Sequence, residues 1–384
     1  TWTINTDEMS DINMSYMFRR SKFNQDISGW DVSRVSDMSH MFEGCQYFDQ
    51  DIGDWDVTNV RNMSYMFAGV ILSPVSNIRS GFNQDIGDWE VSNVENMSFM
   101  FFLSNFDQNI SSWNVERVTS MQSMFSRSSY NKPLSWTANN IVTDLTSMFS
   151  LATKFNSNFT IKLPEDEEVT ALGMFNSTLG FTGNPIIDIQ NSSSLVSTKM
   201  MFFNSYFNGT LKDSLNSDIF NTSNVQDMTS MFERAINFNQ DISSWDFSQA
   251  ITLNSMFKYA YAFNNNGQPL DDMVFCQSSD VDMSKMFEYA TNLTVSLNNW
   301  NVNRVTNFSR MFYNASKFNN NDGTGMYWTL CEDTTKSINM SSMFELATKF
   351  NQQLVAPTEY PNAWKTGRVT NMSNMFKSSG FLHS

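Results

Sequence analysis

Residues 23–42 read FNQDISGWDVSRVSDMSHMF, and residues 48–67 read FDQDIGDWDVTNVRNMSYMF. The second stretch repeats nearly all apolar positions of the first, and both end on a Met-Phe pair. Fourteen such pairs recur, most often 24 or 25 residues apart. The pairs are Met17-Phe18, Met41-Phe42, Met66-Phe67, Met100-Phe101, Met124-Phe125, Met148-Phe149, Met174-Phe175, Met201-Phe202, Met231-Phe232, Met256-Phe257, Met286-Phe287, Met311-Phe312, Met343-Phe344 and Met375-Phe376. Because one such unit is too small to bury its own apolar face, this period predicts a solenoid.

Each repeat has two halves with different periodicity. In the half that runs from Val60 to Phe67, apolar residues step by three and four, which predicts a helical turn. The half that runs from Phe23 to Val32 is rich in aromatic and β-branched residues, which predicts a short strand around Ile-x-x-Trp. The expected fold is therefore an α/β solenoid of about 14 coils, each with one short parallel strand and one helical turn per ~25 residues.

The repeats predict a single solenoid domain over residues 1–384, with three parts. The pattern is regular over 1–152, degenerate over 153–224, and regular with loop insertions over 225–384. In the degenerate part the Trp is lost and the spacing Met-x-x-Met is incomplete. An insertion also interrupts the first part, at Ala68–Gly81. Such insertions are expected to leave the stack as loops on one face, which in solenoids is often the binding face.

Two columns of residues recur at fixed positions. The 27 Met and 34 Phe residues exceed ordinary usage, and we expect them to form the core, with a Met-lined ligand surface as the alternative. An Asn follows Phe once per coil, as in Phe23-Asn24 and Phe82-Asn83. We expect this Asn to satisfy backbone groups of neighbouring turns as a ladder, with a row of ligand-binding amides as the alternative.

Charge and hydropathy narrow the classes of partner. The net charge is −15 and the pI is about 4.5, which argues against nucleic acids and anionic membrane surfaces. No stretch approaches the ~18 apolar residues of a membrane helix. No signal peptide is visible and the chain begins at Thr1, as expected of a processed product or an excised piece. Neither end carries a polar cap, so we expect either a longer array or head-to-tail stacking of copies.

The three cysteines do not suggest a disulfide scaffold. Cys45 occupies a slot that holds Ala in other copies, such as Ala152 and Ala235, and is expected to be a small buried residue. Cys276 and Cys331 lie in longer repeats that are not neighbours. A disulfide between them remains the less favoured alternative.

The stretch 23–33, together with Met38-x-x-Met41-Phe42 and its copy over 48–67, resembles the BspA-like leucine-rich repeats of bacterial surface proteins. The branch in question is the mycoplasma-type domain of unknown function. The resemblance covers nearly the whole chain and is weakest in the degenerate part. It implies a right-handed, leucine-rich-repeat-like stack, surface-exposed or secreted, that serves adhesion or assembly. It supplies no catalytic motif.

Residues suited to catalysis or metal binding are few. The histidines, His40 and His383, lack a setting suited to a general base, and no zinc spacing or phosphate loop occurs. The carboxylates recur by coil, which indicates solvated columns and leaves weak Ca²⁺ sites as the alternative. The calcium candidates are Asp26, Asp51, Asp85 and Asp241. We expect no enzyme and no cofactor other than this possible Ca²⁺, although a polysaccharide-degrading enzyme is a remote alternative.

Sequons for N-glycosylation are frequent, as expected of a chain rich in Asn, Ser and Thr. If the source is eukaryotic and the protein secreted, some of them would carry glycans. The candidates are Asn109, Asn158, Asn176, Asn191, Asn208, Asn292 and Asn314.

These observations predict a non-catalytic extracellular or surface protein of a cell or virion, either structural or adhesive. It would be a subunit or segment of a filament or coat, with protein partners or copies of itself bound through coil ends and loops. The alternative is a glycan-binding module that uses the loop aromatics Tyr327, Trp328, Tyr360 and Trp364.

Overall fold

The computed structural model describes the chain in seven segments: residues 11–136, 141–213, 220–271, 273–298, 300–320, 325–354 and 363–382. The chain divides into two compact units. Unit 1 comprises residues 1–194 with 210–218, and unit 2 comprises residues 195–209 with 219–384. This division lies inside the stretch 153–224 whose sequence is degenerate.

Both units are parallel β-solenoids, with about 12 turns in total. This is fewer than the 14 predicted coils. The strands are β1 (Ile12–Asn13), β2 (Val35–Asp37), β3 (Val70–Ser73), β4 (Ser76–Ile78), β5 (Leu134–Trp136), β6 (Phe159–Lys162), β7 (Val169–Thr170), β8 (Ile186–Gln190), β9 (Leu195–Ser197), β10 (Thr210–Lys212), β11 (Val281–Asp282), β12 (Asn301–Val302), β13 (Val305–Asn307), β14 (Thr329–Leu330), β15 (Ile338–Asn339) and β16 (Val369–Asn371). Short 3₁₀ turns lie at Ser192–Ser194, Asn265–Gly267 and Thr366–Arg368.

The strands pair between neighbouring coils. In unit 1, β1 pairs with β2, and a four-stranded sheet has the order β10-β8-β6-β5. In unit 2, the sheets have the orders β11-β13-β15-β16 and β12-β14. All of these pairs are parallel. Among the described residues, the antiparallel pairings within a unit are the hairpin β3-β4 and the isolated bridge between Thr329 and Ala363.

The predicted helical turn is wrong, and with it the α/β class. The described residues contain no α-helix. At Met17 the backbone N–H donates to the carbonyl of Met14 at 3.3 Å, whereas the next N–H, of Phe18, donates to the carbonyl of Met41 in the neighbouring coil at 2.9 Å. The amides thus alternate between a tight turn and the next coil. An α-helix needs every amide for its own i→i−4 bonds, so this alternation excludes it.

The tight turns place non-glycine residues in the left-handed region. Tyr16, His40 and Tyr65 have φ values of 62°, 57° and 57°. Each occupies the third position of a turn closed by an N–H of the following Met, where a type II turn requires a positive φ. The step of three between apolar residues therefore reflects consecutive turns rather than a helix.

The predicted strand at Ile-x-x-Trp is also wrong for the regular coils. There the N–H of Trp55 donates to the carbonyl of Ile52 at 3.2 Å, which closes a turn. The pairing instead lies just before the first Met, where single bridges join Asp37 to Asn62 and Asn62 to Asn96. The strand and the turn have therefore exchanged places relative to the prediction.

The Met and Phe columns form the predicted core. Met63, Met66 and Phe67 are fully buried, as are their equivalents in most coils. In unit 1 the rings of seven Phe residues, from Phe18 to Phe175, stack with centroids 5.3–5.9 Å apart. Unit 2 repeats this from Phe202 to Phe376 at 5.3–5.7 Å. Ring stacking in register buries large apolar surfaces and fixes the spacing of the coils.

Candidate functional site

The Asn column forms the predicted ladder. In unit 1 the side-chain oxygen of Asn24 accepts the N–H of Asp49 at 3.1 Å, and that of Asp49 accepts the N–H of Asn83 at 2.8 Å. The series continues to Asp107 and Asn131, at 2.8 and 2.7 Å. Unit 2 contains the same arrangement from Asn208 to Asn239 to Asn264. Because each oxygen serves the next coil, these amides hold the stack together.

The calcium candidates Asp26, Asp51, Asp85 and Asp241 are exposed and all have one local role. Each Oδ1 accepts the backbone N–H two residues later, at 2.9–3.0 Å. For Asp26 the N–H and hydroxyl of Ser28 lower the carboxyl pKa. Among the described residues, no group of three or more His, Cys, Asp or Glu side chains could hold a metal ion. The carboxylates thus stabilise turns, and the structure does not gather them into a cluster.

Two of the four aromatics considered for glycan binding belong to the core. Trp328 is fully buried, and its ring stacks on Trp300 at 5.1 Å and on Trp364 at 5.9 Å. Its indole N–H donates to the carbonyl of Leu297 at 2.7 Å. Tyr327 is half-buried, and Tyr360 lies outside the described residues. Trp328 and Trp364 therefore cannot stack on a sugar in the folded protein, which corrects that part of the prediction.

The sequon candidates differ in exposure. Asn109, Asn158 and Asn292 are exposed, whereas Asn176, Asn208 and Asn314 are half-buried and Asn191 is buried. The amide of Asn191 donates to the carbonyl of Leu163 at 2.9 Å, and the oxygen of Asn208 belongs to the Asn ladder. Only the three exposed candidates present a side chain to solvent in the folded state.

The cysteines are free and buried. The bridges Val274–Asn301 and Asn301–Thr329 place Cys276 and Cys331 two coils apart, with Asn303 of the intervening coil between their positions. Two coils correspond to roughly 9.6 Å, which exceeds the Cα separation that a disulfide allows. The disulfide alternative is therefore wrong.

The sequence indicated no general-base setting for His40, and it did not show how firmly the ring is held. In unit 1 the ring of His40 lies between those of Tyr16 and Tyr65, with centroids 4.4 and 4.5 Å away. Its Nδ1 lies 2.6 Å from Glu43 Oε2, which also accepts the Nε of Arg19 at 2.6 Å. Both faces of the imidazole are covered, so only its edge is available. His383 lies outside the described residues.

Unit 2 contains a small apolar cavity at a break in the Trp column. The bridge between Phe247 and Phe275 aligns Met273 with Trp245, so Met replaces Trp in this coil. The cavity lies beside Met273 and is lined by apolar side chains such as Phe275 and Trp300. A small cavity without polar groups stays dry.

Comparison with known families places these features in context. The family described as "Mycoplasma protein of unknown function, DUF285" matches residues 3–72, 70–184, 169–273, 273–356 and 331–383. The matches together cover nearly the whole chain. The chain belongs to this family. No curated protein and no solved structure matches it.

Membership in DUF285 confirms a mycoplasma-type repeat family, as the sequence suggested. The five matches follow one another along both units, and each spans more than one of the coils described above. The described residues include no helix that is both long and apolar enough to cross a membrane. The DUF285 description assigns no activity, so a function has to be inferred from the surface and the ladders.

Proposed function

We propose that this protein is a non-catalytic repeat protein of the BspA-like leucine-rich-repeat kind, located outside the cell or on the surface of a cell or virion. Its role is structural or adhesive, as a subunit or segment of a filament or coat. The observation that carries the proposal is that the repeated Asn and Asp side chains form hydrogen bonds within the solenoid. The oxygens of Asn24, Asn83 and Asn131 bond the next coil, and those of Asp26 and Asp51 close turns. These columns build the scaffold itself.

Charge supports a partner other than nucleic acid. At a net charge of −15, contact with a phosphate backbone or an anionic lipid surface is repulsive. Proteins, uncharged surfaces and further copies remain as partners. In a eukaryotic secretory source, the exposed Asn109, Asn158 and Asn292 are the sites we expect to carry glycans.

Electron microscopy of the purified protein, combined with sedimentation over a dilution series, tests the structural role. We expect filaments or large assemblies that dissociate on dilution. A monomer that is insensitive to concentration would contradict assembly. Adhesion is tested by binding to immobilised extracellular proteins and to a glycan array; binding that is absent on both, with a monomer in solution, would overturn the proposal.

A further inference from the structure

The insertion 68–81 in unit 1 forms a projecting hairpin rather than an irregular loop. Strands β3 and β4 pair antiparallel, with Val70 opposite Ile78 and Ser73 opposite Ser76. Two groups fix its base. A Cβ on Gly69 would lie 2.4 Å from the carbonyl oxygen of Leu103, so only glycine fits there. The guanidinium of Arg79 donates to the carbonyl of Ser104 at 2.7 Å.

The tip of the hairpin is apolar and exposed. The side chains of Ile71, Leu72 and Val75 are 48%, 54% and 96% exposed. Residues 68–78 contain no charged side chain, although 16% of the chain is charged. Within the described residues, β3 and β4 form a sheet of two strands, so both outer edges are unpaired. A firmly based hairpin with an apolar tip and open edges is suited to pairing with another strand.

The open edges decide what kind of surface the hairpin binds. In a bilayer interior the unpaired N–H and C=O groups would have no partner, which excludes deep insertion of an open hairpin. A strand added to an edge satisfies those same groups, and apolar side chains on both faces add contact. The occupant is therefore a strand of a protein.

A second copy of this chain supplies a strand that matches. Each copy has a net charge of −15, so two copies repel each other. The hairpin carries no charged side chain over residues 68–78, so a contact made by the two hairpins alone brings no like charges together. An edge placed against the same edge across a two-fold axis is self-complementary in length and in side chains. We infer that hairpins 70–78 of two copies pair edge to edge into a four-stranded antiparallel sheet. This deepens the proposed assembly role and rests on it.

The small size of the hairpin sets the strength of this contact. Stable interfaces bury about 1,600 Å² in total, and two hairpins of this length bury far less. The dimer is therefore weak in solution and dissociates on dilution. In an assembly of many copies, repeated weak contacts of this kind would act together.

The chain offers a clean deletion to test the inference. Removing residues 70–79 leaves a step of five residues from Phe67 to Phe82, equal to the step from Phe101 to Phe106 in the next coil. The deletion variant is expected to keep the melting temperature of the wild type. Val75→Asp is a second variant that leaves the fold intact, because Val75 is almost fully exposed. Val274→Asp, at an exposed apolar residue of unit 2, is the matched control.

Sedimentation velocity across a concentration series gives the readout. We expect a wild-type dimer, no dimer after deletion, and self-association weakened roughly tenfold or more by Val75→Asp, since a charged side chain then replaces an exposed apolar one in the contact. Val274→Asp should associate like the wild type. Equal association of wild type and deletion variant would overturn hairpin pairing and leave assembly through other surfaces standing. A monomeric wild type would overturn both. If the protein stays monomeric and binds phosphatidylcholine vesicles only when the hairpin is present, the partner of the hairpin is a membrane surface and not a protein strand.

Discussion

Regular coils and the degenerate stretch link to their neighbours in different ways. In a regular coil, the indole N–H of Trp89 donates to the carbonyl of Ile52 in the preceding coil at 3.1 Å, while the backbone around it turns. In the degenerate stretch, the same half of the coil is an extended strand. There β6 and β8 pair over four consecutive residues, from Phe159 opposite Ile187 to Lys162 opposite Gln190.

This difference explains why the sequence pattern fades without loss of the fold. An indole link requires Trp at one position, whereas a ladder of main-chain bonds accepts any residue that tolerates an extended backbone. Trp136 lies where one mode changes into the other. It still donates to the carbonyl of Ile110, at 3.2 Å, and it also pairs with Ile161 as part of β5. The degenerate sequence therefore marks where the hydrogen bonds between neighbouring coils change from side-chain to main-chain bonds.

The largest expected effect tests the indole link. Trp89→Ala removes a buried ring together with its N–H bond, and should lower the free energy of unfolding by about 4 kcal/mol. Trp89→Phe keeps most of the ring and loses only the indole bond. It should cost about 1 kcal/mol, because the carbonyl of Ile52 still accepts the backbone N–H of Trp55. Urea unfolding of the purified variants gives both values. Loss of less than 1 kcal/mol on Trp89→Ala would contradict the comparison.

The second-largest expected loss of stability tests the degenerate stretch. Asp213 is fully buried in unit 1, and its carboxylate accepts the N–H groups of Asn191 and Ser192, both at 3.2 Å, and the hydroxyl of Ser192 at 3.1 Å. Asp213→Ala removes the carboxylate that accepts from three buried donors, so we expect a loss of about 3 kcal/mol. Asp213→Asn, which keeps an acceptor, is the control and should lose less.

Hydrogen exchange at the amides of Asn191 and Ser192 locates the effect of Asp213→Ala. We expect protection to fall there while the amides around Trp89 keep theirs, since solenoid coils contact only their neighbours. If protection fell equally around Trp89, the two modes of linkage would not be independent.

The sequence predicted the columns better than the turns, for a physical reason. Core positions such as Met66 and Phe67 recur with a fixed period, and burial follows from the period alone. Positive φ at Tyr16, His40 and Tyr65 could not be predicted, because residue type gives no sign of it: any of these normally avoids that region. The step of three was therefore read as a helix.

Residues in irregular coils were predicted least well. Trp364 lies eleven residues before Met375, the spacing of Trp30 to Met41, but it also follows an insertion, so a place in a loop stayed open as the alternative. The stacking of its ring on Trp328 identifies it as core. The weak sequence pattern also hid the polar bonds of Asp213, which no repeated position announces. A sequence period predicts the positions that all coils share. A hydrogen bond made in one coil only, such as those of Asp213, can be found only in the structure.

A smaller change in stability is expected in the coil where the indole links give way to main-chain pairing. Tyr130 stands in a column of Phe rings, and its buried hydroxyl has no hydrogen-bond partner among the described residues. Burial raises its pKa, so the hydroxyl stays protonated and uncharged. Tyr130→Phe should therefore stabilise the protein by about 1 kcal/mol, and Phe106→Tyr, the matched change one coil away, should destabilise it by a similar amount. Thermal unfolding checks both; a destabilised Tyr130→Phe would reveal a partner for the hydroxyl.

The smallest expected change in stability depends on pH and concerns a regular coil. Burial would raise the pKa of Glu43, but hydrogen bonds from Arg19 and His40 outweigh it and lower this pKa below its ordinary value of 4.5. The ionised carboxylate therefore stabilises the fold fully above pH 4.5, and this stabilisation is lost as the pH falls through the folded pKa. Equivalent positions in the degenerate stretch hold Asn176 and Phe203, which do not titrate.

Acid should accordingly loosen the coils around Glu43 before those of the degenerate stretch. We expect amide protection near Arg19 and Glu43 to fall below pH 4.5 in the wild type. Glu43→Gln should be less protected at neutral pH and should lack this step, because it never carries the charge that Arg19 binds. If both proteins showed the same acid step, another carboxylate would be responsible, and the Arg19–Glu43 pair would not account for the acid sensitivity of the regular coils.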